Sequence, residues 1–109
     1  MSLLASELNE GETIKGTVAA NLFRGVEAVG GSLTITDRRI IFKPHPFNIQ
    51  RKVVEIPLSE ITDVRERKTL GIVPNGILVT TKSGAKYKFV VWHRKDILDL
   101  MKNEISALR

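Results

Sequence analysis

The sequence predicts a mainly β domain: a bent, seven-stranded antiparallel sheet or partly open barrel, capped by one C-terminal α-helix. Three observations predict it. Short runs rich in β-branched residues recur from Thr13 to Val91, separated by Gly, Pro, Asn and Asp turn signals. After Trp92 the apolar period changes from two to about 3.6 residues, so the chain closes on a single amphipathic helix. Its 109 residues suit one domain and allow roughly two-thirds of the unfolded surface to be buried.

The elements follow in order. Residues 1–12 read as an N-terminal extension and residues 13–109 as the domain. The first strand is expected at residues 14–20. The second, entered through Gly30 and Gly31, spans residues 32–36, and Asp37 and Arg38 turn the chain. A third run at residues 40–43 ends at Pro44-His45-Pro46, because proline cannot donate to a central ladder. The fourth covers residues 52–56 and stops at Pro57. The fifth, dense in charge, covers residues 61–68. A Pro74-Asn75-Gly76 turn is expected to introduce the sixth at 77–82, and Ser83-Gly84 joins it to the seventh at 86–91. That last strand alternates, with Tyr87, Phe89 and Val91 on one side and Lys86 and Lys88 on the other, as a sheet with one wet face requires. In the helix, Ile97, Leu98, Leu100, Met101, Ile105 and Leu108 share one face. With Leu33, Ile35, Phe42, Val54 and the inward residues of the seventh strand, most of that face is expected to form one core. The apolar loop Leu70 to Pro74 either covers this core or forms a subunit contact.

Composition narrows the function. Hydrophobic residues make up 42% and charged residues 27%, as in a globular protein. There is no cysteine, which excludes disulfides, thiolate metal sites and a cysteine nucleophile, and is compatible with a cytoplasmic setting. No apolar stretch approaches the roughly 18 residues that a membrane-spanning helix needs. His45 and His93 have no metal-ligand spacing to each other or to a carboxylate, and no phosphate-binding or nucleophile motif is present, so neither catalysis nor a cofactor is expected. The net charge of +5 is uneven, because Met1 to Asp37 holds five acids against two bases. Beyond it, residues 38–54 and 67–95 contain Lys and Arg with no acid at all, a pattern that suits either a solvated face or an anionic partner.

Three segments are familiar in order and spacing. Gly31 to Phe42 (GSLTITDRRIIF), Ile56 to Val64 (IPLSEITDV) and Gly84 to Phe89 (GAKYKF), followed by the helix, together resemble the GRAM family. The resemblance implies a pleckstrin-homology-like barrel and a non-catalytic binding module for phosphoinositides, other membrane components or proteins. It transfers no binding residue, since the matching positions are core and turn residues. The segment 21–30 departs from the Lys- and Arg-rich first hairpin of lipid-binding relatives, holding Arg24 with Glu27 nearby.

Such a fold would gather the first-to-second, third-to-fourth and sixth-to-seventh connections at one open end. The candidate ligand-binding residues are therefore Arg24, Lys43, Arg51, Lys52, Lys82 and Lys86, with Leu22, Phe23 and Phe47 as candidate membrane contacts. The expected partner is anionic lipid at a peripheral membrane surface. Alternatives are a protein partner added as a strand to a free sheet edge, self-association, and a nucleic acid. The last is disfavoured because aromatics are only 6% and Tyr87 and Phe89 alternate as core residues.

Overall fold

The computed structural model describes residues 5–46, 52–69 and 73–108. Seven antiparallel strands form one sheet: β1 (Ile14–Arg24), β2 (Glu27–Thr36), β3 (Arg39–Pro44), β4 (Val54–Pro57), β5 (Ile61–Thr69), β6 (Val73–Thr81) and β7 (Lys86–Val91). A 3-10 turn at Leu58–Glu60 separates β4 from β5, and α1 (Arg94–Ala107) follows β7. The strand order is β4-β3-β2-β1-β7-β6-β5, so two meanders meet where β1 pairs with β7 and the sheet does not close. That junction is short, with Ala20 to Phe23 paired to Lys88 to Val91 at four positions.

The first two strands are longer than the residue pattern predicts. Asn21, Arg24 and Glu27 break the apolar alternation, yet they are paired in register, Arg24 opposite Glu27, because polar side chains there face water. The connection is thus not a loop over residues 21–30 but a two-residue turn, Gly25-Val26, made possible by the positive φ of 63° at Gly25. The Pro74-Asn75-Gly76 turn is also corrected. These residues lie inside β6, where Gly76 pairs with Arg67 on one side and Val90 on the other. A Cβ at Gly76 would lie 2.5 Å from the Arg67 carbonyl oxygen, so glycine serves close strand approach rather than reversal.

Side chains from both meanders fill the concave side under α1. Leu33, Ile35, Phe42, Ile77, Val79, Phe89 and Met101 are essentially inaccessible, and the Phe42 and Phe89 rings, 6.0 Å apart, join β3 to β7 across the core. Val54, Tyr87 and Leu100 are half-buried against this cluster. Leu108 departs from the expected helical face: just past the end of α1, it is 50% exposed. The N-terminal segment is sewn to β3. Glu12, with no exposed side-chain surface, accepts hydrogen bonds from Arg39 Nε and Nη2, both at 2.8 Å, and from Thr36 Oγ1 at 2.7 Å. Of the Leu70 to Pro74 loop, residues 70–72 lie outside the described residues.

Candidate functional site

Three of the expected cations converge. Arg24 ends β1, Lys52 precedes β4 and Lys86 begins β7, and antiparallel pairing carries all three to one end of the sheet, around a cleft of about 740 Å3. Arg24 Nη2 donates to the Lys52 carbonyl oxygen at 3.0 Å, tying the hairpin tip to the chain that leads into β4. Tyr87 forms part of the wall. Glu55 supplies the acid there, but its carboxylate is engaged by Arg39 Nη1 at 3.2 Å. Lys52 and Lys86 are exposed and make no ion pair among the described residues, so the cleft presents net positive charge.

Other candidates lie elsewhere. Lys43 Nζ is bonded to Glu7 Oε1 at 2.9 Å on β3, which holds its charge near the N-terminal segment and outside the cleft lining. Lys82 lines a separate hollow with Leu58, Ser59 and Leu108, outside the cleft. Leu22 cannot meet a membrane: only 2% exposed, it belongs to the core because its position in β1, opposite Val29, points inward. Phe23 is half-buried at the cleft. Arg51 and Phe47 lie outside the described residues.

Sequence reasoning missed the apolar tips that are exposed. Val26, at the turn between β1 and β2, is fully exposed at 103%, and Val53 beside Lys52 is 42% exposed. The available signal was the Gly25-Val26 pair, for a two-residue turn leaves its second side chain no interior to enter. Trp92, 72% exposed, was also missed; it borders a separate hollow of about 340 Å3 near His45 and Asn21, past the end of β7. His93, next to it, occupies the left-handed region at φ 56° and has no side-chain cap bond to α1. Among the described residues no group of three His, Cys, Asp or Glu could hold a metal ion. No helix is long and apolar enough to cross a membrane.

A family model for the GRAM domain matches residues 2–107. The chain belongs to the GRAM domain family. Over 80 residues it is 30% identical to UDP-sugar-dependent glycosyltransferase 52 of Dictyostelium discoideum, covering 72% of this chain and only 4% of that protein's length. Among solved structures it is similar to the C-terminal domain of an unknown protein from Leishmania infantum, with TM-score 0.77 and 20% identity over 88% of this chain and 86% of that one. The N-terminal PH domain of Vps36 superposes with TM-score 0.72 and 15% identity over 93% and 84%. The N-terminal PH domain of human ARAP2 gives 0.68 and 18% over 85% and 80%. This GRAM domain therefore has the PH-like fold that the resemblance implies, and its unclosed sheet is the bent, partly open form that the residue pattern predicts. Domains of this family and fold are typically non-catalytic modules that bind lipids or proteins.

Proposed function

We propose that this GRAM domain makes peripheral contact with anionic membrane lipid through the end of the sheet that carries Arg24, Lys52 and Lys86. The observation that carries the reading is the convergence of those three cations on a cleft whose lining includes the exposed Val53 and, at Gly25, the turn that bears the fully exposed Val26. A basic rim around an apolar tip suits a bilayer surface, where lipid phosphates meet the cations and the tip enters the interface. Each cation near an anionic leaflet contributes about 1 kcal/mol. Burying one valine adds roughly 1.5–2 kcal/mol. The sum, about 5 kcal/mol, corresponds to a dissociation constant of roughly 0.2 mM. Contact at that strength is reversible, and a second anchor or a multivalent headgroup would be needed for residence. The setting proposed is cytoplasmic, against the leaflet that carries anionic lipid.

The test is co-sedimentation with vesicles of phosphatidylcholine alone or mixed with phosphatidylserine, at low salt. Lys52→Glu with Lys86→Glu is expected to weaken binding to the acidic vesicles tenfold or more without changing the melting temperature, since both side chains are exposed and outside any ion pair among the described residues. Val26→Asp is expected to weaken it by a similar factor. If the wild-type domain ignores acidic vesicles at low salt, the membrane reading fails.

A further inference from the structure

Val91, the last residue of β7, is buried in the core, whereas the indole of Trp92, the single tryptophan of the chain, is 72% exposed. The next residue, His93, holds the left-handed conformation (φ 56°, ψ 48°), and α1 starts from it without a side-chain cap. A strained backbone and a large ring left in water are both unfavourable for the isolated fold, a combination that clusters at ligand-binding sites. The ring borders the hollow of about 340 Å3, whose floor is one row of the sheet: Asn21 on β1 pairs with Gly30 on β2 and with Val90 on β7. Gly30 keeps that floor open. A Cβ there would lie 3.3 Å from Asn21 Oδ1 and 3.4 Å from His45 Cδ2, so the missing side chain is the space between an amide and an imidazole. The His45 amide donates to the Gly30 carbonyl oxygen at 3.0 Å, which fixes the wall on that side. Across the row, Asn75 forms the other wall, next to Gly76, the partner of Val90. The described lining contains no Lys, Arg, Asp or Glu.

We propose that this hollow binds a neutral pyranose ring, carried by a soluble saccharide or by a glycolipid headgroup. An indole face is negative, and the C–H bonds on one side of a sugar ring are apolar and slightly positive, so the two stack. Sugar hydroxyls both donate and accept hydrogen bonds, as do the side-chain amides of Asn21 and Asn75 and a neutral imidazole. The volume sits at the small end of the roughly 300–1,000 Å3 of small-molecule sites, which suits a ring or two rather than a long chain. The lining also rejects other chemistries. A phosphorylated headgroup finds no cation to neutralise it, and a quaternary ammonium finds neither an acid nor a cage of several rings. A wholly apolar ligand would strip water from the amides and give them no partner. The hollow is separate from the cationic cleft, whose lining shares no residue with it.

The experiment follows the Trp92 indole N–H, unique in the spectrum of the 15N-labelled full chain, during titration with the methyl pyranosides of glucose, galactose, mannose and N-acetylglucosamine. At least one is expected to shift it at millimolar concentration, together with the Asn21 side-chain amide and the Gly30 and Val90 backbone amides. Sorbitol, which has the hydroxyls without the ring, should leave them unmoved. A second arm reads the fluorescence of the same tryptophan on phosphatidylcholine vesicles with and without glucosylceramide or galactosylceramide. A blue shift that requires the glycolipid assigns the ring to a headgroup, and a response to free pyranoside alone assigns it to a soluble saccharide. Gly30→Ala, which fills the floor, should weaken binding roughly tenfold or more. Where that variant melts early, Asn21→Ala, at an exposed position, decides. Lys52→Glu with Lys86→Glu should leave the response unchanged, so failure of the membrane reading does not touch this one. No response to any pyranoside or glycolipid, an equal response to sorbitol, a stronger one to adenosine, or shifts centred on Lys52 and Lys86 would overturn the proposal.

Discussion

Glu12 stays ionised inside the protein because every direction around its carboxylate is occupied by a donor. The Arg39 guanidinium takes both oxygens, and the Asn9 amide (2.9 Å) and Thr36 hydroxyl complete the set. These bonds, Arg39 first, hold its pKa down at about 2 against a burial effect that works the other way, and the same pairing raises that of Arg39. Glu12→Gln is expected to cost roughly 3 kcal/mol at neutral pH, read from urea unfolding, because a partly buried guanidinium loses its buried charge partner and keeps only the exposed Glu55. Since the folded-state pKa lies below the ordinary 4.5, this stabilisation is complete above 4.5 and is lost as pH falls from there through about 2. The gap between wild type and variant should therefore close across that window. A gap that stays constant to the acid end would refute the account. Nothing local announces this pair, whose members stand 27 positions apart, and Glu12 reads from the sequence as one acid of an extension.

Glycines show how far single elements were legible. Gly31 faces the next strand so closely that a Cβ would collide with the Lys43 carbonyl oxygen and come within 2.8 Å of Pro44 Cα, both backbone atoms that cannot step aside. Gly31→Ala should therefore destabilise the domain by about 2–3 kcal/mol, seen as a lower melting temperature, through forced separation of β2 and β3. A melt within a degree of wild type would show that the strands yield freely. Next to a strand predicted at residue 32, Gly31 read as an entry turn, and Gly76 likewise; both serve strand-to-strand proximity, a relation that local turn chemistry cannot express. The seventh strand, by contrast, was readable to the residue, because Lys86 and Lys88 face water while Phe89 and Val91 face the core, and wetness alternates with the pleat. The helix was equally plain, since Ile97, Met101 and Ile105 recur at its period.

At the scale of the molecule, the sequence grouped six cations by counting loops, and three-dimensional pairing divides them. Arg24, Lys52 and Lys86 share the cleft, Lys82 lines a separate hollow, and Lys43 is bonded to Glu7. Strand register decides this, and register is fixed by residues far apart in the chain, as Phe23 opposite Lys88 illustrates. Vesicle binding through the cleft should fall steeply between low and physiological salt, as the screening length shrinks to about 8 Å. Binding that persists undiminished at high salt would point to burial of Val26 alone rather than to the cations.

The short ladder between β1 and β7 has a further consequence, for the order in which the chain assembles. Every other strand pairing joins neighbours along the sequence, so two meanders can form by closing small loops. Joining β1 to β7 must instead draw together the two ends of the molecule across all the intervening chain, and only four paired positions reward that search. The topology leads us to expect that pairing β1 with β7 is the late, slow step of folding. Among the residues that hold them together is Leu22 against Phe89, and Leu22→Ala is expected to slow refolding in stopped-flow more than the loss of an equally buried side chain within a meander.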